Sequence, residues 1–509
     1  MDGVGPGFHA PELRNGSCRR GGSTTIGVRS ASAEDRMPPD SCRNDPMRLP
    51  LLMLLCLALV ACDRAPAAID NANVAPVQAR QGPLTAIDLE REVARLAAGH
   101  AAGLWPGFDP LAVPLAVYDG ERTFLFRHPS PPDEFVPVPE LGPGVRARDD
   151  RHEAVMANTS VELGGTATAT FLLDKPPADR SLTDLAAVAI HEAFHAHQRA
   201  HRPDWVANEA DLFTYPTASA ELLALQRLET AALRKALATA NDADAAGCWA
   251  RRALALREER YADMEPAFAT YERGTELNEG LATYVEMRAA GRSAQTLPTT
   301  DFGPADVRRR AYTSGASIAL LLDRVAPDWQ ATLAAADDRT LDGTLAAAVG
   351  PGRRCDFDPD VVAAARAKAA ADVSALAAKR ARRIADFEGR PGWRVVIEAA
   401  QDDRLLWPQG FDPLNVEPID VARVLHTRFV RLGNDSGHLE VMDANALTQG
   451  AGAHPLFQGV RRVVLTGLAK PDVGQSGGKV TVQAPGLTVE FAGAAVERDG
   501  QTIKVRLGG

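Results

Sequence analysis

His191-Glu192-Ala193-Phe194-His195 places two imidazoles four residues apart with a carboxylate beside the first. Four residues turn a helix by about 400°, so the two histidines lie about 40° apart on one face and can reach one metal ion. Glu192 would then stand beside a water at that ion, in reach of its proton. The residues before the motif suit a helix. Ser181 and Asp184 have the spacing of a capping box, and the apolar run 185–190 follows. The plain alternative is a buried helix whose histidines bind nothing.

The elements around the motif form an α+β pattern. Residues 85–100 read as a helix with Ile87, Leu89, Val93 and Leu96 on its apolar face. Strand-like runs follow at 113–118, 123–128, 155–160 and 166–173, separated by Asp119-Gly120 and proline-rich turns. Segment 166–173 reads as an ordinary core strand, and it is also the candidate for a sheet-edge strand that pairs with an extended substrate. After the motif, 219–239 and 245–271 read as bundle helices with Ala/Leu faces. Gly274 is expected to interrupt, with Thr275 capping a new helix that carries Glu276 to Glu286. Further helices are expected around Tyr312–Asp323 and over 360–387. From 392 onward, short apolar runs between Gly, Asp and Asn turns predict a β-rich C-terminal domain. Leu104-Trp105-Pro106-Gly107-Phe108-Asp109-Pro110-Leu111 is echoed at 406–414, an echo to which no chemistry attaches.

The 509 residues are 45% hydrophobic, enough for a large core. The formal charge of −10 and the lack of a long basic run argue against a nucleic-acid partner. Residues 1–46 carry no hydrophobic periodicity and read as disordered, or as an extension upstream of the true start. Met47 and Arg48 open an apolar stretch ending Leu59-Val60-Ala61-Cys62, which resembles a bacterial lipobox. That resemblance implies a signal peptide over 47–61 and a lipid-modified Cys62. It implies a membrane anchor on the periplasmic side of the cell envelope, and Asp63 resembles an inner-membrane retention signal. Residues 62–83 read as a linker. Of six cysteines, only Cys248 and Cys355 then remain to pair, or to stay as buried thiols.

Two histidines leave a metal site one protein ligand short. His201 stands ten residues after His191, as in the extended motif of the metzincins, but Gln198 occupies the position where that motif needs a chain-breaking glycine. Asp263-Met264-Glu265-Pro266 is faintly similar to that clan's methionine turn. The other candidate is Glu279. Leu277-Asn278-Glu279-Gly280-Leu281-Ala282 resembles the third-ligand helix of the aminopeptidase-N family of gluzincins, and Tyr312-Thr313-Ser314-Gly315-Ala316-Ser317 is similar to that family's tyrosine segment. The resemblance covers residues 181–323 and departs from the family in spacing, since Glu279 lies more than eighty residues beyond His195. The family's amine-binding Gly-x-Met-Glu-Asn segment is absent, so aminopeptidase specificity is not implied.

The resemblance implies a thermolysin-like catalytic domain over 84–390, its α/β part at 84–180 and helical part at 181–390, with the β-rich domain at 391–509. It implies Zn2+ on His191, His195 and Glu279, with Glu192 as base and Tyr312 as oxyanion donor. Glu286, two turns beyond Glu279, is placed to orient a ligand imidazole. His197, about 200° from His195, is expected to pack or face solvent. The expected function is a zinc metallopeptidase acting on a peptide or protein substrate. The alternative from another class is an inactive binding or assembly lipoprotein that keeps the fold.

Overall fold

The computed structural model describes residues 84–100, 103–239, 242–292, 302–412, 415–452 and 454–508, all within one compact unit spanning 54–509. The expected extension, signal peptide, Cys62 and linker lie outside the described residues. Helix α1 (Ala86–Ala98) starts at a Thr85/Asp88 capping box and buries Leu89, Val93 and Leu96.

A six-stranded sheet follows, built from β1 (Leu115–Tyr118), β2 (Arg122–Phe126), β3 (Val136–Pro137), β4 (Arg146–Asp149), β5 (Thr159–Leu163) and β6 (Thr166–Leu172). Its order is β3-β4-β2-β1-β6-β5. β1 runs parallel to β6 and antiparallel to β2, while β5 closes the sheet as an antiparallel hairpin with β6. The strand expected at 155–160 lies at Thr159–Leu163 and forms the edge; of the two readings of 166–173, the ordinary core strand holds and the sheet-edge candidate does not. β6 is internal because β1 and β5 pair with its two sides, and its central side chains are buried as well. Ala169 and Phe171 join the main core, and Thr168 and Thr170 are also buried.

Helix α2 (Leu182–His201) lies against β5 and β6. Ser181 and Asp184 form the expected capping box, and the helix runs unbroken through Gln198. The bundle continues with α3 (Ala210–Thr214), α4 (Ala220–Ala238), α5 (Ala243–Ala262), α6 (Pro266–Thr275) and α7 (Leu281–Ala289). It then runs through α8 (Val307–Val325), α9 (Trp329–Ala334), α10 (Leu341–Val349) and α11 (Pro359–Glu388).

Two helix boundaries depart from expectation. The single helix expected over 245–271 breaks at 263–265, where Pro266 takes the first position of α6, having no N–H to lose there. Met264 at that break packs with Tyr215, Leu222 and Phe268, and its sulfur accepts from Arg260, so it is a core residue of the bundle. Gly274 does not interrupt. Residues 266–289 form one continuous helix with a π turn at Glu276–Gly280, and Gly274 is needed because a Cβ there would sit 2.5 Å from the Val206 carbonyl oxygen. Cys248 and Cys355 form a disulfide that ties α5 to the segment before α11.

The C-terminal region packs two sheets face to face. One has the order β18-β19-β7-β14-β13-β10-β9 and the other β15-β16-β17-β12-β11-β8. The first uses β7 (Trp393–Ala399), β9 (Val416–Asp420), β10 (Arg423–His426), β13 (Ala446–Gly450), β14 (Val460–Leu468), β18 (Ala494–Asp499) and β19 (Thr502–Leu507). The second uses β8 (Trp407–Phe411), β11 (Phe429–Asn434), β12 (Gly437–Met442), β15 (Asp472–Ser476), β16 (Lys479–Ala484) and β17 (Leu487–Ala492). A short helix, α12 (Pro455–Gln458), precedes β14. Strand alternation assigns the faces. Val395, Ile397, Val463 and Leu465 enter the core between the sheets, while Val396 and Val464 meet Ile384 and Phe387 of α11. No helix among the described residues is long and apolar enough to cross a membrane.

Candidate metal centre

His191, Glu192 and His195 are buried on α2 and form a group that can hold a metal ion, their donor atoms lying within 4.8 Å of one another. The two imidazoles meet through Nε2 atoms 3.1 Å apart. Glu279, on the π turn, brings its Oε2 to 3.5 Å from His191 Nε2 and 3.3 Å from His195 Nε2. Glu279 thus stands within 3.5 Å of both imidazoles, alongside the Glu192 carboxylate of the same group.

The π turn explains how Glu279 gets there. An i→i+5 step inserts one residue into a helix and leaves carbonyls without their usual donors. Gln198 supplies one, its Nε2 donating to the Leu277 and Asn278 carbonyls at 2.9 Å each. With its amide nitrogen so used, its oxygen must accept, and it does so from His195 Nδ1 at 2.8 Å. That hydrogen bond places a proton on His195 Nδ1 and aims Nε2 at Glu279 and His191. Glu286 does the matching service for His191, with Oε2 3.3 Å from Nδ1. Arg292 and Arg180 hold Glu286 at 3.4 and 3.8 Å.

The electrostatics follow from this crowding. Burial raises the Glu279 carboxyl, but His195, His191 and Arg308 overcome it and hold it well below the usual carboxylate range. Glu286 is likewise lowered, burial being outweighed by His191 and then by Arg292 and Arg180. Both groups are built to be anionic opposite the imidazoles.

Tyr312 is half-buried on α8, which packs across the π turn. Its ring lies 5.8 Å from the guanidinium carbon of Arg308, one helical turn earlier, and Arg308 Nη2 donates to Glu279 Oε1 at 2.7 Å. The two segments carrying Glu279 and Tyr312 thus meet in space. Their glycines make the contact, since a Cβ on either Gly280 or Gly315 would sit 2.8 Å from the other's Cα.

His201 is not part of the cluster. It lies on the last turn of α2, its ring stacked on His197 at 4.2 Å and its Nδ1 2.9 Å from the His197 carbonyl oxygen. His197 packs between Phe108 and Phe194, and burial pushes it down to about 4. Sequence reasoning missed Gln198 as a partner of His195, although a polar residue one turn past a ligand candidate on a buried helix is a usable signal. It also missed Arg308, for which only the one-turn spacing to Tyr312 was visible, and Arg199. The Arg199 guanidinium is lowered by burial, opposed by the Glu192 charge, and donates to Ser160 Oγ on the edge strand β5. Comparisons with protein families, with curated proteins and with solved structures find no match for this chain.

Proposed function

We propose that this chain is a zinc-dependent peptide-bond hydrolase of the gluzincin type, anchored through Cys62 as a lipoprotein on the periplasmic side. The observation that carries the reading is the convergence of three donor atoms. Ligands about 2.0–2.1 Å from one zinc ion in tetrahedral array stand about 3.3–3.4 Å apart. His191 Nε2, His195 Nε2 and Glu279 Oε2 are separated by 3.1, 3.3 and 3.5 Å. Two nitrogens and one carboxylate oxygen, each on a side chain with a further polar partner, suit zinc as a donor set.

When bound, the metal supplies a Lewis acid that acidifies water and polarises a carbonyl. The chain's own residues supply the rest. Gln198 and Glu286 hold the two imidazoles in orientation. Glu192 takes a proton from the attacking water at its carboxylate and later delivers it to the leaving amine. The Tyr312 hydroxyl donates a hydrogen bond to the carbonyl oxygen as negative charge develops there. An extended substrate lies along the edge strand β5.

The test is zinc content and peptide hydrolysis in the parent, Glu279→Ala and Glu192→Gln. About one zinc per chain in the parent, largely lost in Glu279→Ala, supports the ligand set. Glu192→Gln should keep the metal and lose nearly all turnover. Zinc retained in Glu279→Ala would remove Glu279 as a ligand, and a parent that takes up no zinc on reconstitution would favour a binding or assembly role.

A further inference from the structure

The two oxygens of Glu279 have different neighbours. Oε2 faces His191 and His195 at 3.5 and 3.3 Å, while Oε1 accepts from Arg308 Nη2 at 2.7 Å. We infer that Arg308 is a positioning residue that keeps Glu279 a single-oxygen ligand by occupying its other oxygen; this rests on the metal site proposed above. A carboxylate free to turn can offer a metal both oxygens. One whose Oε1 is held by a guanidinium offers one, and the position it would have filled stays open for water and substrate.

Arg308 is built for the task. Its side chain is 22% exposed, and its guanidinium is raised despite burial by Tyr312, Glu279 and Glu209 around it. Its Nε lies 3.8 Å from Glu209 Oε1, and Tyr271 donates to the other Glu209 oxygen at 3.3 Å. The planar fork therefore spans two carboxylates, which a lysine ammonium on a flexible stem would not do in a fixed plane. Arg308 also lies two turns before Gly315, so the face of α8 that touches the π turn is the face that presents the guanidinium.

The experiment uses the full chain loaded with Co2+, whose visible absorption weakens as coordination number rises, together with competition against a chelator. The parent, Arg308→Met and Arg308→Lys are compared. In Arg308→Met the absorption should weaken as Glu279 turns to offer both oxygens, and metal affinity should fall by about 10–100-fold, the usual cost of losing a partner of a ligand. Arg308→Lys, which keeps the charge and a donor, should lie between. A purely structural role would lower thermal stability and leave the spectrum unchanged. Parent-like absorption and affinity in Arg308→Met would overturn this inference alone. Should that variant fail to fold, the same result in Arg308→Lys would overturn it. A parent that binds no cobalt would overturn the metal-site reading and this inference with it.

Discussion

Gly315→Ala is the sharpest test of how the centre is assembled. A Cβ at Gly315 would sit 2.8 Å from Gly280 Cα, 2.9 Å from the Glu276 carbonyl oxygen and 3.1 Å from Glu276 Cα. All three are backbone atoms, so no side chain can swing aside. Ordinary carbon contact begins near 3.4 Å, and α8 must separate from the π turn by about 0.6 Å to admit one methyl group. Overpacking of this kind costs about 1–3 kcal/mol. The larger effect is on geometry, because Glu279 adjoins Gly280 on the π turn while Arg308 and Tyr312 ride on α8. Sites of this sort tolerate about 0.5 Å of misplacement, and 1 Å costs about a hundredfold in rate. A 0.6 Å separation should therefore lower peptide hydrolysis by about tenfold or more.

Metal titration divides the two ways the strain can be relieved. If α8 yields, turnover falls and zinc affinity falls only as far as the Arg308–Glu279 contact is stretched; if the π turn yields toward α2, the ligand positions themselves shift and both fall further. Gly247→Ala is the control. A Cβ there would meet only the end of the Arg251 side chain at 3.4 Å, and the change inside α5 should stabilise by up to about 1 kcal/mol. Gly315→Ala with the parent's melting temperature, zinc affinity and rate would refute the reasoning.

Three other outcomes follow from the same structure. Tyr312→Phe should lower kcat by about ten- to a thousand-fold with zinc content unchanged, as for loss of an oxyanion donor, and an unchanged rate would make Tyr312 structural. Reducing Cys248–Cys355, which closes a sequence separation of 107 residues, should cost about 2–5 kcal/mol in denaturant unfolding; an unshifted midpoint would show that the bridge adds nothing to stability. Glu272 is buried, and although burial raises it, Arg260 at 2.5 and 2.7 Å brings it down from 4.5 to about 2. Because the folded value is the lower one, its contribution is present above about 4.5 and lost as pH falls toward about 2. Stability measured against pH should fall through that window, and Glu272→Gln should flatten the fall while costing about 3–5 kcal/mol at neutral pH.

What could be read from the chain alone was what depends on local spacing. The α2 motif was legible because Ser181, Asp184 and the apolar run settle a helix, and the helical period alone puts His191 and His195 on one face. Glu279 was legible only through resemblance, since no local rule joins residues 84 positions apart (279 − 195). Thr166–Leu172 could be read as a core or an edge strand because it and Thr159–Leu163 both alternate, and alternation does not say which neighbours a strand has. Gly274 was read as a helix stop on propensity, whereas its reason is the close approach of the Val206 backbone, a tertiary fact with no local trace.

The long interval between His195 and Glu279 makes physical sense once its contacts are followed. Much of it folds into α4 and α5, which deliver buried ions to the π turn. Arg257 of α5 binds Glu276 through both nitrogens at 2.5 and 2.8 Å and Glu229 of α4 at 2.6 Å, while Ser314 of α8 donates to the same Glu276 carboxylate. Glu276 opens the turn that Glu279 closes toward the imidazoles, and Gln198 grips the carbonyls between them. A π turn gives up regular hydrogen bonds and survives only where its surroundings compensate it. Here α2 supplies the compensation on one side, and α4, α5 and α8 supply it on the other. The inserted helices are thus the brace that lets Glu279 stand within 3.5 Å of two histidines.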